Sequence, residues 1–152
     1  MAGYFFDSSA LAKRYHQEVG TSTVDQIVQT PGNIIRISRL TVVELASVFG
    51  IKVRTQFIDK DDAMLLLRQF REDVAAGIFV VFAIGDAQFA SAEELIGLYS
   101  MDHRLRTLDA LQVAVALGLR KEGLIDHFVS ADKVLCDIAE KEGFSVLNPE
   151  NP

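Results

Sequence analysis

The stretch Tyr4-Phe5-Phe6-Asp7-Ser8-Ser9-Ala10-Leu11-Ala12-Lys13-Arg14-Tyr15 governs how the whole chain is read. A short apolar run suited to a buried strand ends at a carboxylate, and two hydroxyl residues lead from it into a helix-forming segment. Asp7 is thereby expected at the mouth of a sheet, where α/β proteins gather their ligands. Asp and Ser are also favoured helix N-caps, so Asp7 alone is explained just as well by capping. The rest of the chain matters for whether other carboxylates reach the same edge.

Outward from this stretch, residues 9–17 read as a helix, and a second helix carries Val24, Ile27 and Val28 on one face before Pro31-Gly32 ends it. Residues 33–38 read as a strand. Thr41-Val42-Val43-Glu44 has the spacing of a capping box, which predicts a helix opening at Thr41 and sets Glu44 one turn beyond a strand end. Residues 59–76 predict an amphipathic helix with Met64, Leu65, Leu67 and Phe70 toward the core and Arg68, Arg71, Glu72 and Asp73 toward solvent. Gly77 suits its stop, and residues 78–82 form an apolar run expected of a strand covered on both faces.

Residues 86–99 return to helical spacing. Residues 107–118 are apolar nearly all round, as in a helix deep in a core, and Asp109 is their conspicuous exception. The helix macrodipole favours an acid there, but a buried one would need a counter-charge or a metal. Residues 127–132 repeat the opening pattern of strand, hydroxyl and acid, ending at Ser130 and Asp132; helical spacing then runs to Gly143, and residues 144–149 close with a short strand. Such alternation predicts an α/β fold of three layers, a parallel sheet with helices on both faces.

Composition limits the possibilities further. The 152 residues, 49% hydrophobic and 24% charged, suit one domain over 1–152 with a core that needs no staples. The single cysteine, Cys136, fits a reducing compartment and a buried apolar role. Neither a signal-like start nor an apolar run of membrane-spanning length is present, so a cytoplasmic protein with no membrane partner is expected. A net charge of −6 argues against general polyanion binding, since that affinity comes from Lys and Arg neutralising phosphates. It leaves room for a nucleic acid handled at a metal-neutralised site with a basic rim.

Asp7, Glu44, Asp109 and Asp132 each have a capping or dipole explanation, but three follow strands or open helices at one edge and the fourth begins the most buried helix. Converging carboxylates repel one another and are hard to keep ionised without a cation. Oxygen ligands with few nitrogens or thiols suit Mg²⁺, with Mn²⁺ able to substitute; His16, His103 and His127 show no zinc spacing.

These blocks resemble a known family. The 5–15 segment, Thr41-Val42-Val43-Glu44, Leu105-Arg106-Thr107-Leu108-Asp109-Ala110-Leu111-Gln112-Val113-Ala114 and Val129-Ser130-Ala131-Asp132-Lys133 are similar to the ordered acidic blocks of PIN domains and, more narrowly, of VapC-like ribonuclease toxins from toxin–antitoxin modules. The resemblance implies a five-stranded parallel sheet, a homodimer, Mg²⁺-dependent RNA cleavage and a cognate antitoxin. It maps the four acids onto the catalytic, metal-binding quartet and Ser8 and Ser130 onto supporting hydroxyls. Gln112 stands where the family commonly has His. Lys13 and Arg106, which flank the acids, are the candidates for steering RNA. Water attack would leave a 3′-hydroxyl and a 5′-phosphate. Two other readings are open: a noncatalytic interaction module that keeps the fold, and an aspartyl-phosphate signalling domain that is also α/β.

Overall fold

The computed structural model describes residues 1–152. In chain order the elements are β1 (Gly3–Phe6), α1 (Ser8–Tyr15), α2 (Thr21–Gln29), β2 (Ile34–Ser38), α3 (Arg39–Arg54), α4 (Lys60–Ala75), β3 (Phe79–Phe82), α5 (Asp86–Tyr99), α6 (Thr107–Lys121), β4 (His127–Val129), α7 (Lys133–Lys141) and β5 (Ser145–Leu147). The five strands form one sheet in the order β3-β2-β1-β4-β5, with every neighbouring pair parallel. None of the helices is long and apolar enough to cross a membrane.

Alternation along β1 explains the layers. Phe5 and Phe6 point to opposite faces, and each is fully buried in a different core. Phe5 stacks on Phe128 of β4 and packs with α5, α6 and α7 through residues such as Leu95, Val113, Ala116 and Ile138. Phe6 packs with α1 to α4 through Leu11, Val24, Leu45, Phe49 and Phe70. β1 lies centrally, so both faces of its short apolar run are covered, as parallel sheets require.

The strand order also fixes where a site can form. From β1 the chain steps through β2 to β3 on one side, then crosses to β4 and β5 on the other. The carboxyl ends of β1 and β4 therefore flank the point where the winding reverses, the usual crevice for a ligand in an open α/β sheet.

Several local expectations are corrected. The helix after β2 opens two residues before Thr41: Ser38 is the N-cap, its hydroxyl accepting the Thr41 amide at 3.3 Å, and Thr41 is buried within the first turn. Glu44 consequently reaches no cap amide. β3 is the outer strand on its side, with Val80 exposed, because the next crossover returns to the far side of β1. On α4 the packed stripe runs through Ala63, Leu67, Phe70 and Val74, leaving Met64 exposed about a quarter of a turn away and Leu65 exposed on nearly the opposite side. Asp73 falls inside that stripe instead of facing solvent, and its carboxylate accepts the Tyr15 hydroxyl at 2.6 Å and the Gln69 amide at 2.9 Å.

Candidate active site

Asp7 directly follows β1, and its N–H extends the sheet ladder to the Val129 carbonyl of β4. Its Oδ1 accepts the Ala10 amide at 2.9 Å, so it caps α1 as its position suggests. Two hydroxyls hold the same carboxylate. Ser9 Oγ donates at 2.8 and 2.9 Å to its two oxygens, and Ser130 Oγ donates at 2.7 Å to Oδ2. Each hydroxyl also accepts a backbone N–H from the β4–α7 turn, Ala131 to Ser9 and Asp132 to Ser130, both at 3.0 Å. The end of β1 is thus tied to the end of β4. Asp7 is only 3% exposed. That burial pushes its carboxyl up to about 6, against the opposing pull of Ser130, Ala10 and Ser9, and the nearby Asp132 charge adds to the rise.

The other three acids arrive from three helices. Glu44 comes from the second turn of α3, where its Oε1 accepts Ser8 Oγ at 2.9 Å and Gln112 Nε2 at 2.7 Å. Asp109 stands in the first turn of α6, and its Oδ2 accepts the Arg106 Nε at 3.2 Å and the Arg106 amide at 3.3 Å. Asp132 is the N-cap of α7, with Oδ1 accepting the Leu135 amide at 3.1 Å. All four carboxylates, with Arg106 and Gln112, line one cavity of about 150 Å³ beside the β1–β4 crevice. Larger hollows, about 510 Å³ between α5 and α6 and about 480 Å³ beside α3, lie elsewhere.

Ser8 and Ser130 divide the supporting work: Ser130 holds Asp7, and Ser8 holds Glu44. Arg106 lies at the rim with its side chain 67% exposed. The hydrogen bond and charge of Asp109, then the charges of Asp132 and Glu44, hold its guanidinium more firmly protonated than usual. Lys13 departs from its expected place on a basic rim. Its side chain is 4% exposed, and its ammonium is ion-paired at 3.1 Å with Glu18 and at 2.6 Å with Glu150. Its charge is therefore spent inside the fold.

Two supporting residues escaped the sequence reading. Ser9 contacts Asp7 more closely than Ser8 does, and its signal was a hydroxyl two residues beyond a strand-ending acid, a spacing that lets a side chain turn back. Gln112, regarded only as a replacement for His, is 2% exposed and bonded to four side chains. Its signal was a lone long polar residue in an apolar helix, one turn after Asp109, since a buried amide needs partners. Cys136 is buried as expected; its Sγ donates to the Ser130 carbonyl at 3.2 Å, and burial pushes the thiol up to about 11, so it is not a nucleophile at neutral pH.

No trio of Asp, Glu, His or Cys side chains is close enough, as placed, to hold a metal ion. The donor set nevertheless fits a hard divalent cation in chemistry: four carboxylates face one small cavity, one of them ionises reluctantly, and the nearest counter-charge is an exposed arginine at the rim.

The family model described as PIN domain matches residues 4–141. A comparison with curated proteins finds no match. Among solved structures, VapC20 of Mycobacterium tuberculosis, a Sarcin-Ricin loop cleaving toxin, is similar at 17% identity and a TM-score of 0.65, covering 93% of this chain and 95% of that one. FitAcB from Neisseria gonorrhoeae aligns at 12% identity with a TM-score of 0.67 over 96% of this chain and 97% of its own. VapBC2 from Rickettsia felis, bound to a DNA fragment from its promoter, aligns at 14% identity and 0.62 over 96% and 98%. At these identities the shared property is the fold.

Proposed function

The chain belongs to the PIN domain family, and from that premise we propose that it is a Mg²⁺-dependent endoribonuclease, the toxin of a toxin–antitoxin pair. The observation that carries this reading is the convergence of Asp7, Glu44, Asp109 and Asp132 around one cavity at the reversal point of the sheet. Likeness to a VapC toxin and to VapBC2 supports the toxin assignment, and with it a cognate antitoxin, a homodimer and a cytoplasmic site of action.

Asp7 and Asp109 would be the principal metal ligands, with Glu44 and Asp132 completing the site directly or through water. Bound Mg²⁺ or Mn²⁺ would polarise a phosphoryl oxygen, lower the pKa of a water and offset charge on the leaving oxygen. The protein's own groups do the rest. Ser9 and Ser130 keep the Asp7 carboxylate from rotating. Arg106 presents a planar guanidinium at the rim, suited to clamp a phosphate of the RNA. Glu44 Oε2, which no protein donor engages, is the oxygen left free to hold the metal or a water bound to it. A phosphorus–oxygen bond would form to the attacking water, which gives up a proton to solvent, as the bond to the 3′-oxygen breaks and that oxygen takes up a proton from solvent, giving a 3′-hydroxyl and a 5′-phosphate.

One observation favours a second reading, the noncatalytic module: the carboxylates stand too far apart, as placed, for three to grip one ion. An aspartyl-phosphate domain is disfavoured, because no second acid stands beside Asp7 at the end of β1, where Ser8 and Ser9 follow it. The deciding measurement is RNA cleavage with Mg²⁺, with EDTA, and with folded Asp7→Asn and Asp109→Asn variants. Cleavage only by the wild type with Mg²⁺ is expected. Cleavage that persists in all four cases overturns the mechanism, and none in any case leaves the noncatalytic module. Growth arrest on expression, relieved by the product of a neighbouring gene, tests the toxin assignment.

A further inference from the structure

We propose that Gln112 is the positioning residue for Glu44, fixing which carboxylate oxygen is left for chemistry; this rests on the reading of the acidic cavity as a metal-dependent nuclease centre.

Gln112 projects from α6, where residues Ala110 to Ala116 are otherwise apolar, and its amide meets polar side chains at both ends. Its amide cannot be reversed. Ser38 Oγ accepts the Thr41 N–H, so its own proton is free to go to Gln112 Oε1 at 2.9 Å. That contact turns Nε2 toward three acceptors: Glu44 Oε1 at 2.7 Å, Thr41 Oγ1 at 2.9 Å and Ser8 Oγ at 3.3 Å. A flipped amide would set its carbonyl oxygen against the carboxylate and leave Ser38 without an acceptor.

The consequence falls on Glu44. Ser8 and Gln112 both donate to Oε1, at 2.9 and 2.7 Å, and no protein group donates to Oε2. Both donors are neutral, so they orient the carboxylate without cancelling its charge. Asp109 differs, because its oxygen carries the charged Arg106. Glu44 is thus presented through one chosen oxygen and with its charge intact. An outer-shell partner of this kind commonly sets metal affinity by about 10- to 100-fold when removed. Four sequence segments supply the arrangement, since Ser8, Ser38, Thr41 and Gln112 come from α1, the end of β2, α3 and α6.

The test uses Gln112→Met, which keeps the length and flexibility of the side chain and loses its donors. Mn²⁺ is titrated against thermal unfolding, a readout independent of cleavage, in the wild type, Gln112→Met, Glu44→Gln and the double variant. The expected result is a Mn²⁺ midpoint weakened about 10-fold or more by Gln112→Met, little further change from that substitution once Glu44 is Gln, and recovery in Gln112→His, whose ring N–H can donate again. A Mn²⁺ midpoint unchanged in Gln112→Met, or an equal effect with and without the Glu44 carboxylate, overturns the positioning role and leaves the nuclease reading standing. Absence of any Mn²⁺ response in the wild type overturns both. Where Gln112→Met does not fold, Ser38→Ala releases the carbonyl end of the same amide and is read in the same cycle.

Discussion

Three donors reach Asp7, yet its carboxyl titrates at about 6 because burial outweighs them. The unfolded chain ionises this group near 3.8, so on raising the pH the unfolded state gives up its proton first. Stability from the protonated carboxyl is therefore full below about pH 4 and declines as pH rises through about 6, by about 3 kcal/mol in all. In EDTA, urea unfolding of the wild type should show that decline, whereas Asp7→Asn should be flatter across the window and about 1–3 kcal/mol more stable at pH 7.5. Parallel curves for the two proteins would refute the burial argument. At this scale the four acids could be picked out from sequence because Asp7, Asp109 and Asp132 sit at strand ends or helix starts and Glu44 follows a strand by little more than a helical turn, where position follows from local pattern. Their partners could not. Ser9 on Asp7 and Gln112 on Glu44 are set by how the strand ends and helices stack, and only Gln112's isolation among apolar neighbours hinted at its burial.

At the scale of elements, α3 shows how a local signal misleads. Ser38 is an acceptable lone N-cap, but only Thr41-x-x-Glu44 has the full capping-box spacing, so the local sequence favours Thr41. Tertiary structure chooses Ser38 instead, because it ends a strand and its hydroxyl also serves Gln112, while Glu44 is drawn away to Ser8 and Gln112. Ser38→Ala should therefore cost about 1–2 kcal/mol, the upper part of the range for a lost N-cap, since a buried amide loses a donor as well. Asp59→Ala, at the exposed cap of α4, should cost about 1 kcal/mol and leave the cavity untouched. Chemical denaturation of both variants checks the contrast; equal costs would argue that Ser38 does no more than cap. The order and type of the elements were legible from alternating apolar runs and glycine stops such as Gly77, whose φ of 78° ends α4. The edge position of β3 was not, because an apolar run reports burial tendency, while its place in the sheet depends on where the next crossover returns.

For the whole molecule, the relevant balance is between carboxylates that repel and a fold that brings them together. The chain carries a net charge of −6, and the cavity adds an acid that burial already resists ionising. A cation bound only by the native state stabilises it by mass action, by about 2.7 kcal/mol at a hundredfold excess over its dissociation constant. In a protein of 152 residues that corresponds to a rise in Tm of roughly 5–10 °C. Mg²⁺ or Mn²⁺ should thus raise Tm, EDTA should reverse the rise, and Asp109→Asn should diminish it. Two features set its size. Arg106 already offsets part of the charge of Asp109, and the carboxylates must draw closer than they stand, so part of the binding energy is consumed in rearrangement. General screening predicts something different: NaCl at equal ionic strength would give the same shift in wild type and variant alike. A divalent response that NaCl reproduces, or that Asp109→Asn leaves unchanged, would mean that the acids relieve one another's charge through the solvent and not through a shared ion.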